Sequence, residues 1–120
     1  MKVLVCGDRN WIDRELIREH LSQIESLELV IEGGARGADT LSRKAAVGLG
    51  VEVNEYRAEW EIYGRAAGPI RNRRMLDEKP DLVLAFHDNI QESKGTADTV
   101  REAKRRGISC VVISHEESGG

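Results

Sequence analysis

Short apolar runs alternate with segments of helical period along the chain. KVLVCG predicts a buried strand that stops at Gly7, and in WIDRELIREHLSQI the residues Ile12, Leu16, Ile17, Leu21 and Ile24 share one helical face. LELVIEGG predicts a second strand. Ala38, Leu41, Ala45 and Leu49 then recur at helical spacing until Gly48 and Gly50 stop the helix. VEVNEY predicts a third strand and AEWEIYGRAAG a loop, after which Pro69 opens a helix that runs to about Asp77. DLVLAFH is a fourth strand, DNIQESKG a polar loop, and Thr96, Val100 and Ala103 line a last helix that ends at Gly107. SCVVIS is a fifth strand. These strands are continuous apolar runs, as a parallel sheet covered on both faces requires, so the alternation predicts a doubly wound α/β domain.

The length of 120 residues suits one such domain, expected over residues 1–114, with HEESGG at 115–120 as a frayed tail. Hydrophobic residues make up 40% and charged residues 32%, an ordinary balance for a soluble protein. No apolar run approaches the roughly 20 residues of a membrane span, and no segment has a signal-peptide layout, so a cytoplasmic location without membrane contact is expected. Cys6 and Cys110 sit in apolar runs without metal-site spacing and read as buried free thiols. A net charge of −3 argues against broad, sequence-independent nucleic-acid binding, which depends on a basic surface.

A doubly wound sheet binds ligands at the carboxyl ends of its strands, which directs attention to GDRNW, GGARGAD, RAEWEIYGRAAGPIRN and HDNIQESKGTAD. Three of these loops bring glycine together with Arg, Asn or Thr near a helix start, where free N–H groups and the helix dipole favour phosphate. GGARGAD is neither GxGxxG, because position 35 is Ala, nor a Walker A loop. By itself it reads equally as a turn, with Asp39 as a first-turn charge on the dipole, or as an anion cradle. A second loop with Gly95 and Thr96 favours the cradle.

Together VLVCGDR, EGGARGADTLSRKAA, EYRAEWEIYGRAAGPIRNRRML, PDLVLAFHD and SKGTADTVREAKRRGI resemble the SLOG superfamily of Rossmann-like domains, and within it the YspA-like branch of phages and bacteria. The resemblance spans nearly the whole chain. It implies a Rossmann-like three-layer sandwich with a five-stranded parallel sheet in the order 3-2-1-4-5, and a site for a nucleotide or ribose-phosphate ligand. The superfamily also holds LONELY GUY phosphoribohydrolases, DprA DNA-processing proteins and sensors of nucleotide signals. Against the phosphoribohydrolase pattern, Arg71 and Met75 match, Asn72 replaces Lys, and Gly95 and Thr96 match the Gly-Thr of the phosphate loop. Thr99 stands where the catalytic Glu belongs, and Asp98 lies about 100° round the helix from it. The resemblance therefore leaves catalysis open and favours binding.

The expected ligand-binding set is Gly7, Asp8, Arg9, Gly33, Gly34, Arg36, Gly37, Asp39, Arg71, Asn72, Gly95 and Thr96. Arg36 closes over a phosphate or is a solvated charge. Arg71, read as a first-turn cation opposing its helix dipole, calls for a bound anion. Asp8 meets a ribose hydroxyl or orients Arg9, and Asn72 reads ribose or base or bonds to backbone. Trp60 and Tyr63 stack on a base or anchor their loop, and His87 is a proton donor or a structural residue. His20 and His115 look like surface residues. REAKRR is a solvated helix end or a DNA contact. No metal and no resident cofactor beyond a nucleotide-like ligand is expected. The expected partner is a small-molecule nucleotide or nucleotide-derived signal, with nucleic acid and self-association as alternatives.

Overall fold

The structure is a computed structural model that describes residues 1–115. Strands β1 (Lys2–Gly7), β2 (Leu29–Glu32), β3 (Glu52–Glu55), β4 (Leu82–Phe86) and β5 (Ser109–Ile113) form one parallel sheet in the order β3-β2-β1-β4-β5, as expected. Along β1 successive side chains face opposite layers. Val3 and Val5 pack with Ile17 and Leu21 of α1 (Arg14–Ser22) and with Ala38, Ala45 and Ala46 of α2 (Ala38–Gly48). Leu4 and Cys6 pack with Met75 and Leu76 of a helix over Ala67–Asp77, and with Val100 and Ala103 of one over Gly95–Arg105. Each fully buried Val, Leu, Ile or Phe contributes about 1.5–3 kcal/mol. These two layers hold the domain together.

Only the three central strands are covered on both faces. The edge strands β3 and β5 are largely exposed, with Val111 and Val112 at 46% and 42%, and Cys110 is only partly buried. The first helix starts later than its periodicity suggests. Asp13 caps it, its Oδ1 accepting from the Leu16 N–H at 3.1 Å, so Ile12 lies outside the helix and is 89% exposed while Trp11 is buried. The loop expected before Pro69 contains α3 (Trp60–Tyr63) and a 3-10 turn over Gly64–Ala66, which lead into α4 (Ala67–Asp77). The last helix is α5 (Gly95–Arg105).

His115, the first residue of the expected tail, is held in place. Its ring stacks on Trp11 with centroids 4.5 Å apart, and its nitrogens meet Asp88 at 3.0 Å and Asp13 at 2.8 Å. The rest of that tail, 116–120, lies outside the described residues. His20 is half-buried, edge-on to Phe86 at 5.9 Å.

The chain enters at the middle of the sheet, moves outward through β2 and β3, and returns to build β4 and β5 on the other side of β1. The loops after β1 and β4 therefore diverge beyond Gly7 and Phe86, which are partners in register. That divergence opens a crevice at the carboxyl edge.

Candidate functional site

Two adjoining clefts occupy this edge. The first, about 320 Å³, lies over the crevice and is lined by Gly7, Asp8, Arg9, Asp39, Arg71, Asn72, His87, Gly95 and Thr96 of the expected set. The second, about 510 Å³, lies around the double glycine and is lined by Gly33, Gly34, Arg36 and Trp60, again with Arg9 and Arg71. Arg9, Ala35 and Arg71 belong to both, so they form the shared wall. Gly37 and Tyr63 line neither. A methyl group on Gly37 (φ 77°) would strike the Asp8 and Arg9 backbone, so this glycine lets two loops touch. Tyr63 turns to Arg74, which sits 5.7 Å from its ring centroid.

The GGARGAD loop spends much of its donor capacity on partners within the protein. Gly34 N–H donates to Glu32 Oε1 at 2.6 Å, Ala35 N–H to Asp39 Oδ2 at 3.2 Å, and Ala38 N–H to the Asp8 carbonyl at 3.1 Å. Asp39 thus closes the loop as well as facing the first cleft, and burial pushes its carboxyl up to about 6. What the loop presents outward is side-chain charge. Arg36 bonds only lightly, to Asn10 Oδ1 at 3.2 Å.

Arg71 is not in the first turn of its helix. α4 begins at Ala67, ahead of Pro69, whose missing N–H is harmless among the free donors of a helix start. The dipole argument for an anion at Arg71 therefore lapses. Its guanidinium is held instead by the Gly33 carbonyl at 2.6 Å and by Asn72 Oδ1 at 3.0 Å. Asn72, 3% exposed, donates from Nδ2 to Asp98 Oδ2 at 3.0 Å and to the Gly95 carbonyl at 3.3 Å, so its amide ties α4 to the start of α5.

On the other wall, Ser93 Oγ accepts from the Thr96 N–H at 3.0 Å and caps the start of α5. A Cβ on Gly95 would meet nothing within 4 Å, so open space lies over that helix start. Asp8 Oδ1 accepts from the Asn10 N–H at 2.9 Å and shapes the loop that carries Arg9. His87 accepts from the Asn89 N–H through Nδ1 at 2.9 Å, which leaves Nε2 as its remaining hydrogen-bonding nitrogen. Cys6 reaches the first cleft, and burial raises its thiol well above the ordinary range, which favours the protonated form over the thiolate.

Thr99 is 1% exposed and donates its hydroxyl to the Gly95 carbonyl at 3.2 Å. Asp98 bonds Asn72 and pairs with Arg73 at 3.5 Å and Arg101 at 3.4 Å; it does not line the cleft. The basic residues of REAKRR are exposed, and most of them are ion-paired. Glu102 pairs with Arg105 at 2.7 Å and Arg106 at 3.1 Å, and Arg106 also with Asp77 at 2.9 Å. Among the described residues no group of three or more His, Cys, Asp or Glu is placed to hold a metal ion, and no helix is long and apolar enough to cross a membrane.

Sequence reasoning missed Arg57, Ser93 and Lys94. Arg57 lines the second cleft two residues after β3, in a loop where the aromatics drew attention. Ser93, three residues before Thr96, carries a helix-capping signal that could have been read.

Comparison with known proteins bears on this edge. The chain is 34% identical over 119 residues to the Gene 61 protein of Mycobacterium phage D29, covering 92% of this chain and 94% of that protein. It is similar in fold to DNA processing protein A (DprA) from Streptococcus pneumoniae, with TM-score 0.77 and 17% identity over 98% of this chain. The match spans about half, 52%, of the DprA chain. A family model matches residues 1–63, which carry β1, the double-glycine loop and the wall formed by Arg9 and Ala35. On these grounds the chain belongs to the YAcAr family, the YspA, cpYpsA-related SLOG family.

Proposed function

We propose that the paired clefts bind a nucleotide-derived or ribose-phosphate ligand, held for sensing or sequestration in the cytosol. One observation carries this reading: Arg9, Arg36, Arg57 and Arg71 line the second cleft, and among the described residues only Arg57 is paired with a carboxylate, that of Glu55, while Arg36 and Arg71 bond neutral oxygens. Clustered guanidiniums repel one another unless an anion joins them, and Arg suits forked recognition of phosphate. The ligand's anionic group belongs there, beside Trp60, which is 57% exposed and offers a face for stacking. The first cleft has mixed character, with Asp8, Asp39 and Glu92 among its lining. It suits the hydroxyl-bearing, uncharged part of the same ligand. Family membership supports a nucleotide-related ligand, while Thr99 leaves α5 without the phosphoribohydrolase carboxylate.

The arginine cleft and the likeness to DNA processing protein A favour a second reading, contact with nucleic acid. A thermal-shift screen with nucleoside monophosphates, ADP-ribose, NAD, cyclic dinucleotides and a short oligonucleotide tests both. A stabilising small molecule that is recovered unchanged by chromatography supports the proposal, because ligand that binds only the folded state raises its stability. Release of free base makes the protein an enzyme. Stabilisation by the oligonucleotide alone favours the second reading, and binding that survives in both Arg36→Ala and Arg71→Ala removes the anion site.

A further inference from the structure

Glu32 and Glu55 are register partners on β2 and β3, so their side chains leave the sheet side by side. Glu32 has 0% exposure. Its Oε1 accepts from Gly34, and its Oε2 has no conventional donor. Glu55 is open to Arg57 Nε at 2.5 Å and Arg43 Nε at 3.6 Å. Asp39 adds another acid from α2, with Arg71 of α4 facing it. Two adjacent carboxylates, one of them sealed from water, do not both ionise readily. A proton on Glu32 removes this repulsion and turns the unpartnered carboxyl into a donor, with the neighbouring Glu55 side chain as its acceptor.

We propose that Glu32 keeps this proton at neutral pH and that its loss weakens anion binding in the four-arginine cleft. The second half rests on the proposed reading of that cleft. Burial, then the neighbouring acids, push Glu32 up to about 8, while Arg57 and the bond from Glu32 hold Glu55 below its ordinary range. When the proton leaves to solvent, a negative charge appears directly beneath Gly34, which lines the cleft. It repels an incoming anion and competes for Arg57. Glu32 is thus a positioning residue: neutral, it leaves Glu55 to orient Arg57 at the rim.

Infrared difference spectroscopy of the wild type against Glu32→Gln at about pH 7 reads the proton, and sulfate binding at about pH 7 and about pH 9.5 reads the linkage. Sulfate keeps a constant charge across this range, which lies above the titration of Asp39. The wild type is expected to show a carboxylic-acid carbonyl band that Glu32→Gln lacks, and to bind sulfate about three- to tenfold more weakly at the higher pH. Glu32→Gln keeps both hydrogen bonds and is expected to bind equally at both. In Glu55→Gln, which removes the neighbouring charge, the acid band is expected to disappear at lower pH. Absence of the band at neutral pH, or no shift of it in Glu55→Gln, overturns the proton. A band with the same pH dependence of sulfate binding in wild type and Glu32→Gln overturns the linkage. Sulfate binding to neither protein removes the anion site and the linkage together, while the band still decides the proton.

Discussion

Arg71 Nη1 donates to the Gly33 carbonyl at 2.6 Å, which ties α4 to the loop after β2 and fixes this side chain in the wall between the two clefts. Arg71→Ala is expected to lose about 1.5–3 kcal/mol of stability, the usual worth of a hydrogen bond to a charged group. Arg71→Lys keeps the charge without the fork, and should recover part of the stability but little of the ligand affinity. Urea unfolding and ligand titration of the two variants separate these effects.

Gly95 and Gly37 are expected to respond in opposite ways to the same added methyl group. At Gly95 a Cβ meets no protein atom within 4 Å. Gly95→Ala should keep the fold, with a gain of about 0.4–1 kcal/mol from the less flexible unfolded chain, and bind ligand more weakly because the methyl enters the open space over α5. A melting curve with and without ligand checks both.

For Gly37→Ala the expectation is damage to the fold. A positive φ of 77° and backbone contacts from Asp8 and Arg9 leave no room for the methyl. A loss of about 2–5 kcal/mol should appear in the denaturation midpoint.

His115 makes the junction of β5 with the start of α1 dependent on pH. Hydrogen bonds to Asp13, then Asp88, raise the imidazole above its ordinary value, and both carboxylates are held below theirs. A raised histidine contributes stability that is full below its unfolded value and is lost as pH rises through its folded value. The lowered carboxylates lose theirs on the acid side. The clamp is therefore strongest in mildly acidic solution, and His115→Gln should lower the melting temperature there more than in alkaline solution.

The layered fold was legible because its central strands are continuous apolar runs and because Ala38, Leu41 and Ala45 keep helical spacing on α2. Ile12 misled because it fits the helical period while Asp13, the capping residue, starts the helix after it. Pro69 misled because the preceding chain already coils into α3 and a 3-10 turn, which carries the start of α4 back to Ala67. At the site, residue types at the carboxyl edge pointed to the loops that line the two clefts. Whether the N–H groups of GGARGAD are free is a matter of tertiary partners, and Glu32 and Asp39 take two of them. Arg57 reaches the double glycine by crossing from β3, a proximity that no local spacing records.

The wall shared through Arg9, Ala35 and Arg71 has a consequence for chemical probes. If fragments bind both clefts, they share Arg9, Ala35 and Arg71, so their affinities are expected not to add. Joined by a tether that passes Arg71, they gain effective concentration, and the best tether length measures the span between the subsites. A tether that is too short gains nothing, since both ends cannot then engage.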